Sequence, residues 1–403
     1  MSKPLHIVLA AGGTGGHIFP AESLAEQLTA LGHQVTMVTD KRFADYSAAS
    51  MKGILGQIPL HYIHAGTLGR GLAGRALGAL RIAQGVAQAF LLLGKIKPDV
   101  VVGFGGYPSF PTMLAASVRH IPTIIHEQNA ILGKANRMLA PRVQCIATSF
   151  PATGMIQAEN QHKACLVGNP VRSAVHVLHE MSYPELPQDG MMRILITGGS
   201  QGAKIFSEIM PAALALLPES LRLRLRIDQQ ARAETLEETK ERYKSLGVQA
   251  DLSPFFADVP VRLAASHLVI ARSGASTIAE LTCAGRPSIL IPYPNSADDH
   301  QMINARAVED AGGAWVMPQD SFTAEALAAR LEGFLTLPSS LTKSAQHAHA
   351  IGRPNAAADL AALVIRHAQQ RSTTTSPTTP PAHTSASASS VSSISSSHKD
   401  VAA

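Results

Sequence analysis

The chain has 403 residues, 46% hydrophobic and only 4% aromatic, enough to bury two sizeable cores of the α/β kind. Three widely spaced cysteines, Cys145, Cys165 and Cys283, exclude both a metal knuckle and a disulfide framework and point to a reducing compartment. The net charge of +5 is uneven: residues 1–168 hold 14 Lys and Arg against 7 Asp and Glu, the remainder 20 against 22. A basic first half suits an anionic partner, whether nucleic acid, a phosphorylated substrate or a lipid surface.

Residues 1–4 run directly into a strand-like segment at 5–10, so no signal peptide is expected. No run of about 18 uncharged apolar residues occurs, so no membrane-spanning helix is expected either. The first glycine-rich loop, Gly12-Gly13-Thr14-Gly15-Gly16-His17, leads into a predicted helix at 19–31 and a strand at 34–39. Strands at 99–104 and 122–126 follow, the first running into a second loop, Gly103-Phe104-Gly105-Gly106-Tyr107. The pattern restarts after a stretch rich in Pro and Met at 181–192. A strand at 193–197 feeds a third loop, Gly198-Gly199-Ser200-Gln201-Gly202-Ala203. Strands at 223–227, 268–271, 288–292 and 314–317 alternate with helices at 203–217, 231–246, 275–284 and 300–311. Alternation of this kind predicts βαβ units and parallel sheets. Residues 355–371 have helical composition. Beyond them a Ser/Thr/Ala/Pro-rich tail, 372–403, lacks the apolar residues needed to offset ordering and is expected to be disordered.

Each glycine loop follows a strand and opens a helix, where free backbone N–H groups and the helix dipole favour an anion. The first loop is neither a dinucleotide fingerprint, since Ile18 takes the third glycine position, nor a Walker A loop. Asp40 at the end of the second strand either holds a ribose or closes a turn. His17 beside a helix start is either a neutral proton acceptor or a capping side chain. His126-Glu127-Gln128-Asn129 places four polar side chains at the carboxyl end of a strand, where α/β sheets bind ligands. Arg172, in Gly168-Asn169-Pro170-Val171-Arg172, suits a phosphate or anchors the linker. Glu280, one turn into the helix after Arg272-Ser273-Gly274, suits vicinal ribose hydroxyls or the helix start itself. No Asp-x-Asp occurs, so the usual carboxylate bridge to a divalent ion on a sugar nucleotide is missing.

Together these stretches, with Asp298-Asp299-His300-Gln301-Met302-Ile303-Asn304-Ala305, closely resemble the MurG family of UDP-N-acetylglucosamine:lipid I N-acetylglucosaminyltransferases of bacterial peptidoglycan synthesis. The likeness spans about 5–370 and leaves out the tail. It implies a GT-B fold: an N-terminal Rossmann-like domain at 1–168 facing acceptor and membrane, and a UDP-GlcNAc-binding domain at 169–353. A helix at 354–371 would cross back to the first domain. By the same resemblance, Ser200 and Arg172 match positions at the donor diphosphate, Glu280 the ribose acid and Gln301 a contact to sugar hydroxyls. Thr14, Gly15, Gly16 and Asn129 match donor contacts from the first domain, and Phe256 a main-chain contact to uracil. Gly105, Gly106, Tyr107 and Glu127 fall on the acceptor side.

The chain departs from the family where a His-Gln pair commonly follows the strand at 223–227; here the residues are Asp228-Gln229-Gln230. The reaction implied is displacement with inversion, the 4-hydroxyl of the MurNAc of lipid I attacking the anomeric carbon, with His17 the candidate base. No metal, cofactor or nucleic acid is implied. Partners would be UDP-GlcNAc, lipid I, the anionic cytoplasmic leaflet of the inner membrane and proteins of wall synthesis and division. Residues 68–97 combine Arg70, Arg75, Arg81, Lys95 and Lys97 with Leu72, Leu77, Leu80, Phe90 and Leu91 and suit peripheral attachment there.

Overall fold

The computed structural model describes residues 3–12, 15–41, 43, 53–66, 71–199 and 202–374, without the side chains of 72, 73 and 371–374. Thr14 and Ser200, the stretch 67–70 and the tail beyond 374 therefore lie outside the described residues.

Two all-parallel sheets form the frame. The first contains β1 (His6–Ala10), β2 (Gln34–Thr39), β3 (Leu60–Tyr62), β4 (Val100–Gly103), β5 (Thr123–Glu127), β6 (Cys145–Thr148) and β7 (Ala164–Leu166). Their order is β3-β2-β1-β4-β5-β6-β7. The second contains β8 (Met192–Thr197), β9 (Leu225–Gln230), β10 (Gln249–Ser253), β11 (Leu268–Ala271), β12 (Ser288–Leu290) and β13 (Ala314–Val316), ordered β10-β9-β8-β11-β12-β13. β3, β6, β7 and β10 escape the sequence reading because each is only three to five residues long. Segments that short show no decisive periodicity.

In both sheets the winding reverses beside the founding strand, between β1 and β4 and between β8 and β11. Ile7 pairs with both Val35 and Val100, and Ile196 with both Gln229 and Ile270. Crevices open at such switch points, outside the carboxyl ends of the strands. The four loops there are the three glycine loops and Arg272-Ser273-Gly274.

Helices cover both faces of each sheet, as buried parallel strands require. Under the first sheet, Ile7, Leu9 and Val102 join Leu24 and Leu28 of the helix Gly15–Ala30 in one core. Leu360, Ala361, Val364 and Ala368 of the helix Ala356–Thr374 complete that core, so the end of the chain packs into the first domain. The other face packs on the helices Gly71–Ile96 and Gly106–Val118 through Ala89, Leu93, Met113 and Ala116. The helix Gly71–Ile96 is, over Gly74–Ile96, long and apolar enough to cross a membrane by length and composition, with a mean hydropathy of 1.5. Only 22% of that stretch is buried. Its glycines bring it onto the domain: a Cβ on Gly85 would stand 2.0 Å from the His64 carbonyl oxygen.

The two domains meet through few, specific bonds. Ser23 donates to the Val171 carbonyl at 3.0 Å. Asn304 Oδ1 accepts from the Ala130 amide at 2.8 Å while its Nδ2 donates to Asn129 Oδ1 at 3.1 Å. Arg137 pairs with Asp298 at 2.6 Å.

Candidate active site

The helix after the first glycine loop begins at Gly15, earlier than the periodicity suggests, so His17 lies in its first turn. The first and second loops pack on one another. A Cβ on Gly12 would stand 3.2 Å from Pro108 Cδ, and one on Gly106 would stand 3.2 Å from His17 Nε2. Gly105 and Gly106 both hold positive φ, at 79° and 73°, which L side chains rarely adopt. The backbone of the second loop is thus a floor for the His17 ring, and Tyr107 stands exposed beside it.

His17 Nδ1 lies 3.2 Å from Gln128 Oε1. Its pKa is lowered, chiefly by burial; Glu127, Gln128 and the Phe104 carbonyl oppose the shift, and His300 of the second domain adds to it. The imidazole is therefore neutral at physiological pH, with Nε2 over the glycine floor.

Glu127 does not face the acceptor side as a free carboxylate. It is buried, and the four hydrogen bonds of its carboxylate are all internal. Oε1 accepts from the Asn129 amide and from Asn129 Nδ2, both at 3.1 Å. Oε2 accepts from the Gly133 amide at 2.8 Å and from Asn136 Nδ2 at 2.9 Å. The carboxylate shapes the 127–136 loop, because a buried charge must be met by donors. Asn129 in turn spends its amide on Glu127 and on Asn304, joining the domains.

On the second domain the third loop is built to expose backbone. A Cβ on Gly198 would stand 2.2 Å from the Ala203 nitrogen, while Gly199 and Gly202 hold φ at 79° and 66°. The helix Lys204–Leu216 starts directly behind, so its N-terminus offers N–H groups to an anion. Glu280 Oε1 accepts from Arg172 Nη2 at 2.9 Å and Nε at 3.2 Å. Burial pushes the Glu280 carboxyl up and Arg172 opposes that shift. The Arg172 guanidinium also lies over the Phe19 ring at 5.2 Å, linking it to the first domain. Gln301 Oε1 accepts from the Tyr293 amide at 2.9 Å, which aims its NH2 group away from that loop.

Phe256 is buried, with the Arg262 guanidinium 3.9 Å from its ring centroid. Arg262 is also bonded to Asp228 at 2.8 Å, Asp251 at 2.7 Å and Asp258 at 2.9 Å. Asp228, standing where the family commonly has histidine, is thus the partner of an arginine that supports Phe256. The neighbouring Gln229 is committed to the core, accepting from Tyr243 at 2.5 Å and donating to Ser207 at 3.2 Å. Asp40 is buried at the end of β2, beside a groove that Arg81 and Gln88 also line.

Asn304, of the stretch 298–305, closes the domain contact from 174 residues away. Another group at the site carries no sequence signal of its own. Glu22, one turn after His17, is half-buried and pushed up to about 6 by burial and by Glu26, with Arg172 opposing. Nothing in its spacing marks it, because its neighbours arrive by folding.

Residues 7–148 match the glycosyltransferase family 28 N-terminal domain and residues 193–362 the family 28 C-terminal domain. The chain is 55% identical to the UDP-N-acetylglucosamine--N-acetylmuramyl-(pentapeptide) pyrophosphoryl-undecaprenol N-acetylglucosamine transferase of Rhodospirillum centenum, over 89% of this chain and 93% of that one. It is 52% identical to the protein of the same description from Paramagnetospirillum magneticum, over 90% and 96%. Among solved structures, Acinetobacter baumannii MurG superposes with a TM-score of 0.73 at 30% identity, over 90% of this chain and all (100%) of that one. A UDP-GlcNAc 2-epimerase from Neisseria meningitidis shares the fold alone, with a TM-score of 0.63 at 15% identity. With both halves of its cleft built from matched segments, the chain belongs to the MurG group of glycosyltransferase family 28, and it is a hexosyltransferase of GT-B fold.

Proposed function

We propose that the protein transfers GlcNAc from UDP-GlcNAc to the 4-hydroxyl of MurNAc in undecaprenyl-pyrophosphoryl-MurNAc-pentapeptide, with inversion and without an obligatory metal. The main support is the position of His17: a neutral imidazole, Nε2 over the Gly105-Gly106 floor, at the mouth of the first domain's switch point. A sugar hydroxyl becomes acidic only as it bonds to the anomeric carbon, so a base of lowered pKa, neutral at working pH, suits the step. The hydroxyl oxygen attacks from the face opposite the leaving group, its proton passes to His17 Nε2, and the C1–O bond to UDP breaks.

Charge growing on the departing diphosphate meets the amides of the third loop, the N-terminus of the helix Lys204–Leu216 and Arg172. Both bonds from Arg172 go to Oε1 of Glu280, so Oε2 is the oxygen suited to a ribose hydroxyl. The Phe256 main chain, stiffened by Arg262, suits the uracil edge, and the Gln301 NH2 suits a sugar hydroxyl. Thr14, Gly15, Gly16, Ser200 and Asn129 remain our proposed donor contacts on the resemblance.

The acceptor's lipid calls for a membrane face. Between the helices Gly71–Ile96 and Gly106–Val118 lies an open apolar groove of about 720 Å³, lined by Phe90, Leu91, Phe110, Val118 and Met138. Leu91 is exposed in it, Leu77, Leu80, Arg75 and Arg81 belong to the same helix, and Arg119 is stacked on Phe90 at 4.1 Å. An apolar surface with cations on the same helix suits peripheral attachment to an anionic cytoplasmic leaflet.

Labelled GlcNAc should pass from UDP-GlcNAc to a lipid I analogue with EDTA present. His17→Ala should lower turnover by about 10²-fold or more while donor binding persists. Near-wild-type turnover of that variant would remove His17 from the role.

A further inference from the structure

The side chains behind His17 form a chain of hydrogen bonds whose direction is fixed from its far end. His126 Nε2 lies 2.9 Å from the Gly168 carbonyl oxygen, which can only accept, so Nε2 carries the proton. Burial holds the His126 imidazole down at about 4, so the ring is neutral and its Nδ1 is bare. Gln128 Nε2 stands 3.0 Å from that Nδ1 and 3.0 Å from the Phe104 carbonyl oxygen, and both neighbours require a donor. The amide therefore has one orientation, with Oε1 turned to His17 Nδ1 at 3.2 Å.

We propose that His126 and Gln128 are positioning residues: the relay Gly168–His126–Gln128 holds neutral His17 in the Nδ1–H tautomer and leaves Nε2 bare for the acceptor hydroxyl. A free neutral imidazole side chain favours the opposite tautomer, which would present a proton instead of a lone pair. Fixing the tautomer through the second nitrogen is a general means of aiming a histidine. The far end of the relay is rigid. Gly168 has φ of 92°, and a Cβ there would meet Arg353 Cβ at 2.8 Å and Ala356 Cβ at 3.0 Å, where the chain returns to the first domain. His126 is wedged against Phe104, with ring centroids 5.5 Å apart. The other groups acting on His17 are Glu127 and the Phe104 carbonyl from its own domain and His300 across the cleft.

The catalytic meaning of the relay rests on His17 being the base, but the relay has a direct readout of its own. In the wild-type protein with 15N-labelled histidine, the ring nitrogen shifts at neutral pH should show Nδ1–H and bare Nε2 for His17, and the reverse for His126. An Nε2–H signal for His17 would overturn the relay, whatever His17→Ala does to turnover. Gln128→Leu should move His17 toward Nε2–H and lower kcat by about 10- to 100-fold, within the range of acid–base contributions, with KM for UDP-GlcNAc unchanged. An unchanged tautomer in Gln128→Leu would also overturn it. If the tautomers are as stated but His17→Ala keeps wild-type turnover, the base assignment fails and the relay stands.

Discussion

His126 shows how a single side chain links chemistry to stability. Its folded pKa of about 4 lies below the ordinary 6.5, so the unfolded chain binds the extra proton first as pH falls. The stabilisation from keeping it neutral is complete above about pH 6.5 and is lost progressively toward pH 4, for a total of about 3 kcal/mol. Unfolding curves at pH 7.5 and 4.5 should show wild type losing about 2–3 kcal/mol more than His126→Asn over that interval; equal losses would mean that the ring is not held neutral. The same sign applies to the base role proposed for His17. Its pKa is lowered, so the acid limb of kcat/KM should fall below pH 6.5. A limb above that value would point to another base.

Glu127 teaches the opposite lesson at this scale. Its place after a strand reads as a ligand-facing acid, yet its four hydrogen bonds turn it inward to hold Asn129, Gly133 and Asn136. Residue type and position announced a polar cluster; which member faced the cleft depended on donors that approach only in the folded loop.

Among the elements, the helix Ala356–Thr374 is the plainest in physical terms. Leu360, Ala361, Val364 and Ala368 recur on one face and are buried against the helix Gly15–Ala30, in the core of the other end of the chain. Leu360→Ala should cost about 2–5 kcal/mol, read as earlier unfolding of the first domain, as for other fully buried leucines. A loss under about 1 kcal/mol would mean that this docking contributes little in solution. Its helical character was legible from composition, and the resemblance implied its return to the first domain. Which residues it meets there was not legible, since one apolar stripe fits many others.

For the whole molecule, the groove between the helices Gly71–Ile96 and Gly106–Val118 places apolar surface on one side of the first domain, with Arg119 over Phe90. Replacing Arg75 and Arg81 by Gln should weaken sedimentation with anionic liposomes by about 30-fold, at about 1 kcal/mol per basic residue near the surface, and leave neutral liposomes unaffected. Undiminished binding to anionic liposomes would remove this face from the role. The excess of basic residues in the first half was visible by counting. That Arg119 stands over Phe90 of this groove required the helices to pack, since it comes from another element.

The sequence by itself determined the two parallel α/β units, the glycine loops and the family, because these depend on local periodicity and on residue order within short segments. Gly105 and Gly106 are legible there since no other residue adopts their backbone readily. Only the tertiary structure decided how the loops are used. The switch points between β1 and β4 and between β8 and β11 bring them to the crevices. A bond of 2.8 Å between Ala130 and Asn304 joins the domains across 174 residues, and the Gly168 carbonyl sets the direction of every bond up to His17. Hydrogen bonds over that separation have no local signature, because their partners meet only after both sheets have closed over their cores.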